Sequence, residues 1–263
     1  MELGASELIV LGDDPLDNAH RLHDIASGVE LMLDSNSWDD ANGNWLRQAR
    51  RLQNSGISFT VHPPAWDCNI ASAVFALRNA ALDLNRRALD VCVAVGAKQM
   101  VFHPGYCDWP ARFDRKQAQQ YSRQALEELI PIAKAHGIVL GVENIASPSN
   151  ALYTQEEYIH LLDDVDETAQ YLLDLGHAHF NGWDIPTALD AIGPRLCGLH
   201  IHDNDGRGDQ HLPIFAGTIP WEAVFHSMER LPHHCHFILE YAPGTPLDRL
   251  KEGVQILRER FPD

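Results

Sequence analysis

Short apolar runs alternate with amphipathic stretches eight times along the 263 residues of this chain. The runs are ELIVLG (7–12), GVELML (28–33), ISFTVH (57–62), KQMVFH (98–103), IVLGVE (138–143), AQYLLD (169–174), RLCGLHIH (195–202) and HFILEY (236–241). Near-continuous apolar runs suit strands buried on both faces, as parallel sheets are. Between them, apolar residues return every three or four positions, as on one face of a helix. Val74, Leu77, Ala81, Leu84, Ala88, Val91 and Val95 form the clearest such stripe. A second helical stretch runs from Asp114 to Ala135 and stops at His136-Gly137. Pro186 and Pro220 stand where first helical turns begin. Eight strand–helix units in this length predict an α/β fold, a single (β/α)8 TIM barrel over residues 1–263. An open doubly wound sheet is the rival. It loses because LGDDPLDN, after the first run, is not a glycine-rich phosphate turn.

Composition bounds the partners. With 45% hydrophobic and 22% charged residues, the chain reads as a soluble globular protein. No run approaches the roughly 20 apolar residues of a membrane span, and MELGASELIV has no basic segment of a signal peptide. Five scattered cysteines (Cys68, Cys92, Cys107, Cys197 and Cys235) without a CxxC pair suit buried thiols in a reducing cytoplasm. A net charge of −17 argues against long nucleic acid, which recruits basic faces. The arginines at 47, 50 and 51 and at 86 and 87 read as solvated helix surfaces.

Chemistry in a closed barrel of this kind gathers at the C-terminal ends of its strands. Six successive runs place His62, His103, Glu143, Asp174, His200 and Glu240 there. The stretch LHIHDNDGRGDQH adds Asp209 and His211 in the following loop, and His177 follows LLDLG. A lone histidine near an apolar strand is usually a satisfied core residue; three histidines and three carboxylates in register at one mouth are not. Three buried carboxylates would be costly to keep charged unless divalent cations neutralised them. Glu143, Asp174, His200 and Glu240 are hard donors suited to manganese, cobalt, magnesium or zinc. His177, Asp209 and His211 form a zinc-like open set, and His62 and His103 complete a third by sharing Glu143. Nine donors are too many for one ion, so one to three ions per chain are expected.

The segments HPPAWDCNIAS, VFHPG, GVENIA, LLDLGHAHFNG, LHIHDNDGRGDQHLPI and ILEYAP resemble those of the xylose isomerase-like barrels, from about Gly28 to Pro243. That superfamily holds endonuclease IV (the AP endonuclease family 2) together with sugar and polyol isomerases, epimerases and dehydratases. The trinuclear zinc pattern of endonuclease IV finds a match at every ligand. By this resemblance one ion takes His62, His103 and Glu143, and a second shares Glu143 with Asp174, His200 and Glu240. The third takes His177, Asp209 and His211. In the mononuclear epimerase branch the middle set acts alone, and His177 and Arg207 resemble contacts to substrate oxygens. Many relatives carry Gly-x-Gly after the DQHLPI segment, where this chain reads Phe215-Ala216-Gly217, so a different local backbone is expected. His202 stands where relatives often carry another residue and reads as pocket lining, a substrate contact, or as a group supporting the ligands from behind, rather than as a ligand. Trp109 is also assigned to the pocket wall, with Trp66, Trp183 and Phe215 as further candidates.

Two mechanisms follow. In the first, a small hydroxy-carbonyl sugar or polyol is chelated through neighbouring oxygens, and Glu143 and Glu240 remove and return the carbon-bound proton. In the second, clustered zinc activates water against a phosphodiester, a small molecule rather than DNA. The acidic loops GDDPLDN and DSNSWDDANGN repel a phosphate backbone and favour the isomerase or epimerase. A metal-sensing or scaffold barrel is the non-enzymatic reading, and it fits poorly with ligands that converge on a mouth. Acidic barrels of this type often pair, so a homodimer stays open.

Overall fold

The computed structural model describes residues 2–34, 36–38, 44–107, 113–232 and 234–262. Its strands are β1 Glu2–Ser6, β2 Gly28–Met32, β3 Ser58–His62, β4 Gln99–Phe102, β5 Val139–Glu143, β6 Ala169–Asp174, β7 Leu196–Ile201 and β8 His236–Leu239. They close into a barrel in sequence order, every neighbouring pair parallel, with β8 returning to β1. The connecting helices are α1 Pro15–His23, α2 Asn44–Leu52, α3 Phe75–Val95, α4 Arg115–His136, α5 Gln155–Ile159, α6 Leu175–Phe180, α7 Ile185–Ile192, α8 Trp221–Met228 and α9 Leu247–Arg260.

Strand alternation separates two interiors. Val29, Leu31, Phe59, Val61, Met100, Phe102, Tyr171, Leu173, Leu199 and Ile201 belong to the main apolar core with the helices. The residues between them point into the barrel. Val101, Leu172 and Cys197 make a small separate cluster there. Nearer the mouth the interior turns polar, with Glu30 paired in register with Thr60 and Asp174 with His200. A register shift at Tyr171/Leu172 lies between these levels, and past it Leu172 pairs with Gly198 and Asp174 with His200.

Local sequence explains the helix ends. Asp114 caps α4, accepting the backbone N–H of Lys116 and Gln117, and Gly137 ends it in the left-handed region at φ 64°. In α3 the buried stripe begins only at Ala81; Val74 and Leu77 are more than half exposed. The first strand also differs from the expectation of residues 7–12. The chain pairs Glu2–Ser6 instead, and Glu7–Val10 forms a 3-10 turn whose residues are all buried. Small residues are what the barrel needs here: Ile238 from β8 fills the space that a side chain at Gly4 would occupy. The more apolar ELIV is buried at the mouth as a turn, so hydrophobicity alone mislocated the strand.

Candidate metal centre at the barrel mouth

The parallel strands deliver their last residues to one rim. Glu143 and Asp174 end β5 and β6, His62 ends β3, and His103 and Glu240 follow β4 and β8 directly. His200 sits one residue inside the end of β7. Three donor groups result, two of them sharing Glu143, each with ligand atoms within 4.8 Å of one another. They are His62, His103 and Glu143; Glu143, Asp174, His200 and Glu240; and His177, His202, Asp209 and His211. All nine expected donors are brought together, and His202 joins them.

The middle group is buried throughout. His200 Nδ1 lies 2.8 Å from Glu143 Oε1 and 3.3 Å from Glu240 Oε2, with Asp174 Oδ2 at 3.8 Å. Its other nitrogen, Nε2, lies 2.9 Å from Glu30 Oε1, in an ion-pair contact off the hydrogen-bonding line. Thr60 Oγ1 donates to the second Glu30 oxygen at 2.9 Å. Glu30 was not singled out from the sequence, because GVELML reads as an ordinary core strand. Its only signal is an acid in the middle of an apolar run.

Backbone carbonyls set the other imidazoles. Nδ1 of His62 faces the carbonyl of Pro63 at 2.9 Å, that of His177 faces Asn144 at 2.7 Å, and that of His211 faces Glu240 at 3.0 Å. With the proton on Nδ1, each ring presents the Nε2 lone pair to the mouth. Asn144 braces the rim by exchanging hydrogen bonds with the backbone of Asp174, at 2.8 and 3.0 Å. Asp174 in turn accepts the His177 N–H and starts α6. His211 holds a left-handed backbone, φ 47°, between Asp203 and the end of β8.

Electrostatics make this a place for cations. Burial resists the Glu143 charge, yet His200 and His103 beside it hold its carboxyl well below the usual range. Burial likewise opposes charge on His200, but Glu240, Glu30 and Glu143 raise its pKa well above the ordinary value. The Asp209 carboxyl is lowered by His177 and His211 against its burial, and His211 is raised to about 9. His62 goes the other way, lowered by burial and by His103. Buried acids are therefore balanced by imidazoles alone, with no lysine or arginine in ion-pair contact with Glu143, Asp174 or Glu240 among the described residues. That donor set, oxygen-rich in the middle and nitrogen-rich outside, fits divalent metals.

Beside the metal-ligand groups lies a cavity of about 250 Å³, walled by Leu8, Met32, Trp66 and Ile145 and floored by His62, His103, Glu143, His177, Asp209, His211 and Glu240. Cys68 lines it too, its thiol pushed up to about 11 by burial, while the other four cysteines are buried and all five are free. The expected substrate contacts divide. His177 lines the cavity; Arg207 is exposed and outside the lining; His202 is fully buried behind it; Trp109 lies outside the described residues. Trp183 and Phe215 are also outside the lining. Phe215 keeps a left-handed backbone, φ 68°, that a glycine would adopt more easily, and its ring packs on Trp221 and Phe225.

Comparison with known proteins is consistent with this geometry. The family model described as xylose isomerase-like TIM barrel matches residues 20–260. An uncharacterized protein of Methanocaldococcus jannaschii is 31% identical over 223 residues, covering 83% of this chain and 84% of its own. A probable endonuclease 4 of Mycoplasma pneumoniae is 29% identical over 218 residues, covering 75% and 71%. Among solved structures, a D-tagatose 3-epimerase-like protein superposes with a TM-score of 0.85 at 21% identity, covering 99% of this chain and 97% of that one.

Proposed function

The chain belongs to the xylose isomerase-like TIM-barrel family, and from that premise we propose a divalent-metal-dependent isomerase or epimerase. Its substrate would be a small, uncharged hydroxy-carbonyl compound of the sugar or polyol class. One observation carries the reading: Glu143 and Glu240 face the cavity, and no lysine or arginine does among the described residues. An anionic substrate would meet these carboxylates with no lysine or arginine to offset them. A neutral polyol finds hydrogen-bonding groups on the floor and the apolar faces of Trp66, Leu8 and Met32 on the walls.

When bound among Glu143, Asp174, His200 and Glu240, manganese, cobalt, magnesium or zinc supplies Lewis acidity toward two adjacent substrate oxygens. Glu143 and Glu240 both reach His200 Nδ1, at 2.8 and 3.3 Å. One takes the proton from the carbon between those oxygens, and the other returns a proton to complete isomerisation or epimerisation. Ser6 Oγ holds Glu240 Oε1 at 3.4 Å and steadies the carboxylate. His177 lines the same cavity, with its Nδ1 turned to the Asn144 carbonyl. The similarity to the D-tagatose 3-epimerase-like protein agrees with this chemistry. Free, mostly buried thiols suit a cytoplasmic enzyme.

The rival hydrolase reading is favoured by the full set of donor groups and by the likeness to an endonuclease 4. Turnover in D2O separates the two. The chelated and reloaded protein should exchange one carbon-bound hydrogen of a ketose for deuterium, and the exchange should stop without metal. No exchange with any ketose or polyol, together with hydrolysis of a small phosphodiester, would transfer the assignment to the hydrolase.

A further inference from the structure

Asp34 is a buried acid outside the donor groups and outside the cavity lining. It stands two residues past β2 with its side chain 3% exposed, and the Leu33 N–H before it donates to the His62 carbonyl at 3.0 Å. Its Oδ1 accepts the backbone N–H of Ala65 at 2.9 Å and of Trp66 at 3.1 Å. Pro63 and Pro64 have no N–H, so these are the first two backbone donors after β3. The second oxygen, Oδ2, is buried without a hydrogen-bond partner, 3.9 Å from His62 Nδ1. An orphaned buried oxygen costs stability and calls for a reason. The reason lies in what the other oxygen holds.

That oxygen holds the cavity wall. Asp67 takes a left-handed backbone, φ 58°, and the Cys68 N–H reaches the Ala65 carbonyl at 3.3 Å, so residues 65–68 form a turn. Ala65, Trp66 and Cys68 all line the cavity, and Trp66 is 56% exposed. Its backbone is pinned by a buried acid while its indole stands open beside carboxylates and imidazoles. We propose that Asp34 is a positioning residue, fixing the Trp66 backbone so that the indole forms a platform for the apolar C–H face of the substrate. The inference rests on the reading of that substrate as an uncharged sugar or polyol. Such a molecule carries hydroxyls along its edges and C–H groups on its faces. The edges suit the carboxylates and imidazoles of the floor. The C–H groups, slightly positive, suit the negative face of an indole ring. Contact on both sides orients the bound molecule against Glu143 and Glu240.

The test is a double-mutant cycle in the metal-loaded full-length protein, read as KM and kcat for a ketose and, independently, as ketose affinity by calorimetry. Trp66→Ala should raise KM and Kd about three- to tenfold, the strength of one aromatic contact, with kcat within about twofold. Asp34→Ala should do the same. Asp34→Asn keeps an oxygen for both N–H groups and should restore KM and Kd. The double variant should bind no more weakly than either single one, since both changes act through the indole. Should alanine at 34 fail to fold, Asp34→Ser takes its place in the cycle, its hydroxyl being too short to hold both N–H groups. Additive losses would overturn the proposal by separating the two residues. So would an asparagine no better than alanine. Turnover and affinity left unaltered by the changes remove this inference and leave the proposed function standing. Ketose binding that weakens in the variants, without turnover in any of them, does the reverse. No binding of any ketose or polyol removes both.

Discussion

The Asp174 carboxylate accepts the backbone N–H of His177 at 2.6 Å, so one side chain both ends a strand and begins a helix. The carboxylate that belongs to the middle donor group is thereby the one that positions His177 in the outer group. Asp174→Asn keeps an oxygen for the cap, whereas Asp174→Ala loses cap and ligand together. Both should abolish binding at the middle position. In urea denaturation of the metal-free proteins, alanine should cost at least about 1 kcal/mol more than asparagine. Equal stabilities would show that the cap contributes nothing.

Glu30 lies outside the cavity lining and stands behind His200, 2.9 Å from its Nε2. A carboxylate behind a ligating imidazole fixes its orientation and raises its basicity. Glu30→Gln retains a carbonyl for the Thr60 hydroxyl, so the strand pairing should survive. Binding of the middle ion, measured calorimetrically, should weaken about 10–100-fold. An unchanged affinity would mean that the 2.9 Å contact is incidental.

Glu7 sets a pH dependence away from the metal ligands. It is buried, accepts from Asn18, the Met32 backbone and the Trp38 indole, and its pKa rises from 4.5 to about 7 because burial disfavours the charge. The folded state then keeps a proton that the unfolded chain loses between those values. Stability from this group is full below pH 4.5 and declines as pH rises to about 7, by up to about 3 kcal/mol. Glu7→Gln should flatten that fall when urea stabilities at pH 5 and pH 7.5 are compared. Identical slopes for the two proteins would refute the assignment.

Gly176 is required by a neighbour rather than by its own backbone. A Cβ there would overlap the His202 ring. Gly176→Ala should destabilise the metal-free protein by about 1–3 kcal/mol through overpacking. Adding His202→Ala should restore most of that loss. A double variant no better than the product of the two single changes would show that the rings and the backbone do not compete.

Much of this arrangement could be read in the chain because parallel strands end together: once VFH, GVE, LLD and LHI are strands, their final polar residues share a rim. Glu30 escaped because an acid inside GVELML gives no periodic signal. Its role exists only across the barrel, where β2 faces β7. The first strand was misplaced because ELGAS is less apolar than ELIV, while closure around Ile238 demands small residues. Arg207 was assigned by resemblance, and His202 was read as pocket lining or as support behind the ligands. One is exposed, and the other is folded behind the cavity wall by stacking that no spacing encodes.

The fit between His202 and Gly176 also constrains history. An imidazole at position 202 keeps its present place at no cost only beside glycine at 176, since a Cβ there would overlap the ring. Once the ring is present, glycine cannot be replaced until the ring is given up. The two positions therefore constrain one another, and a change at either is felt first at the other.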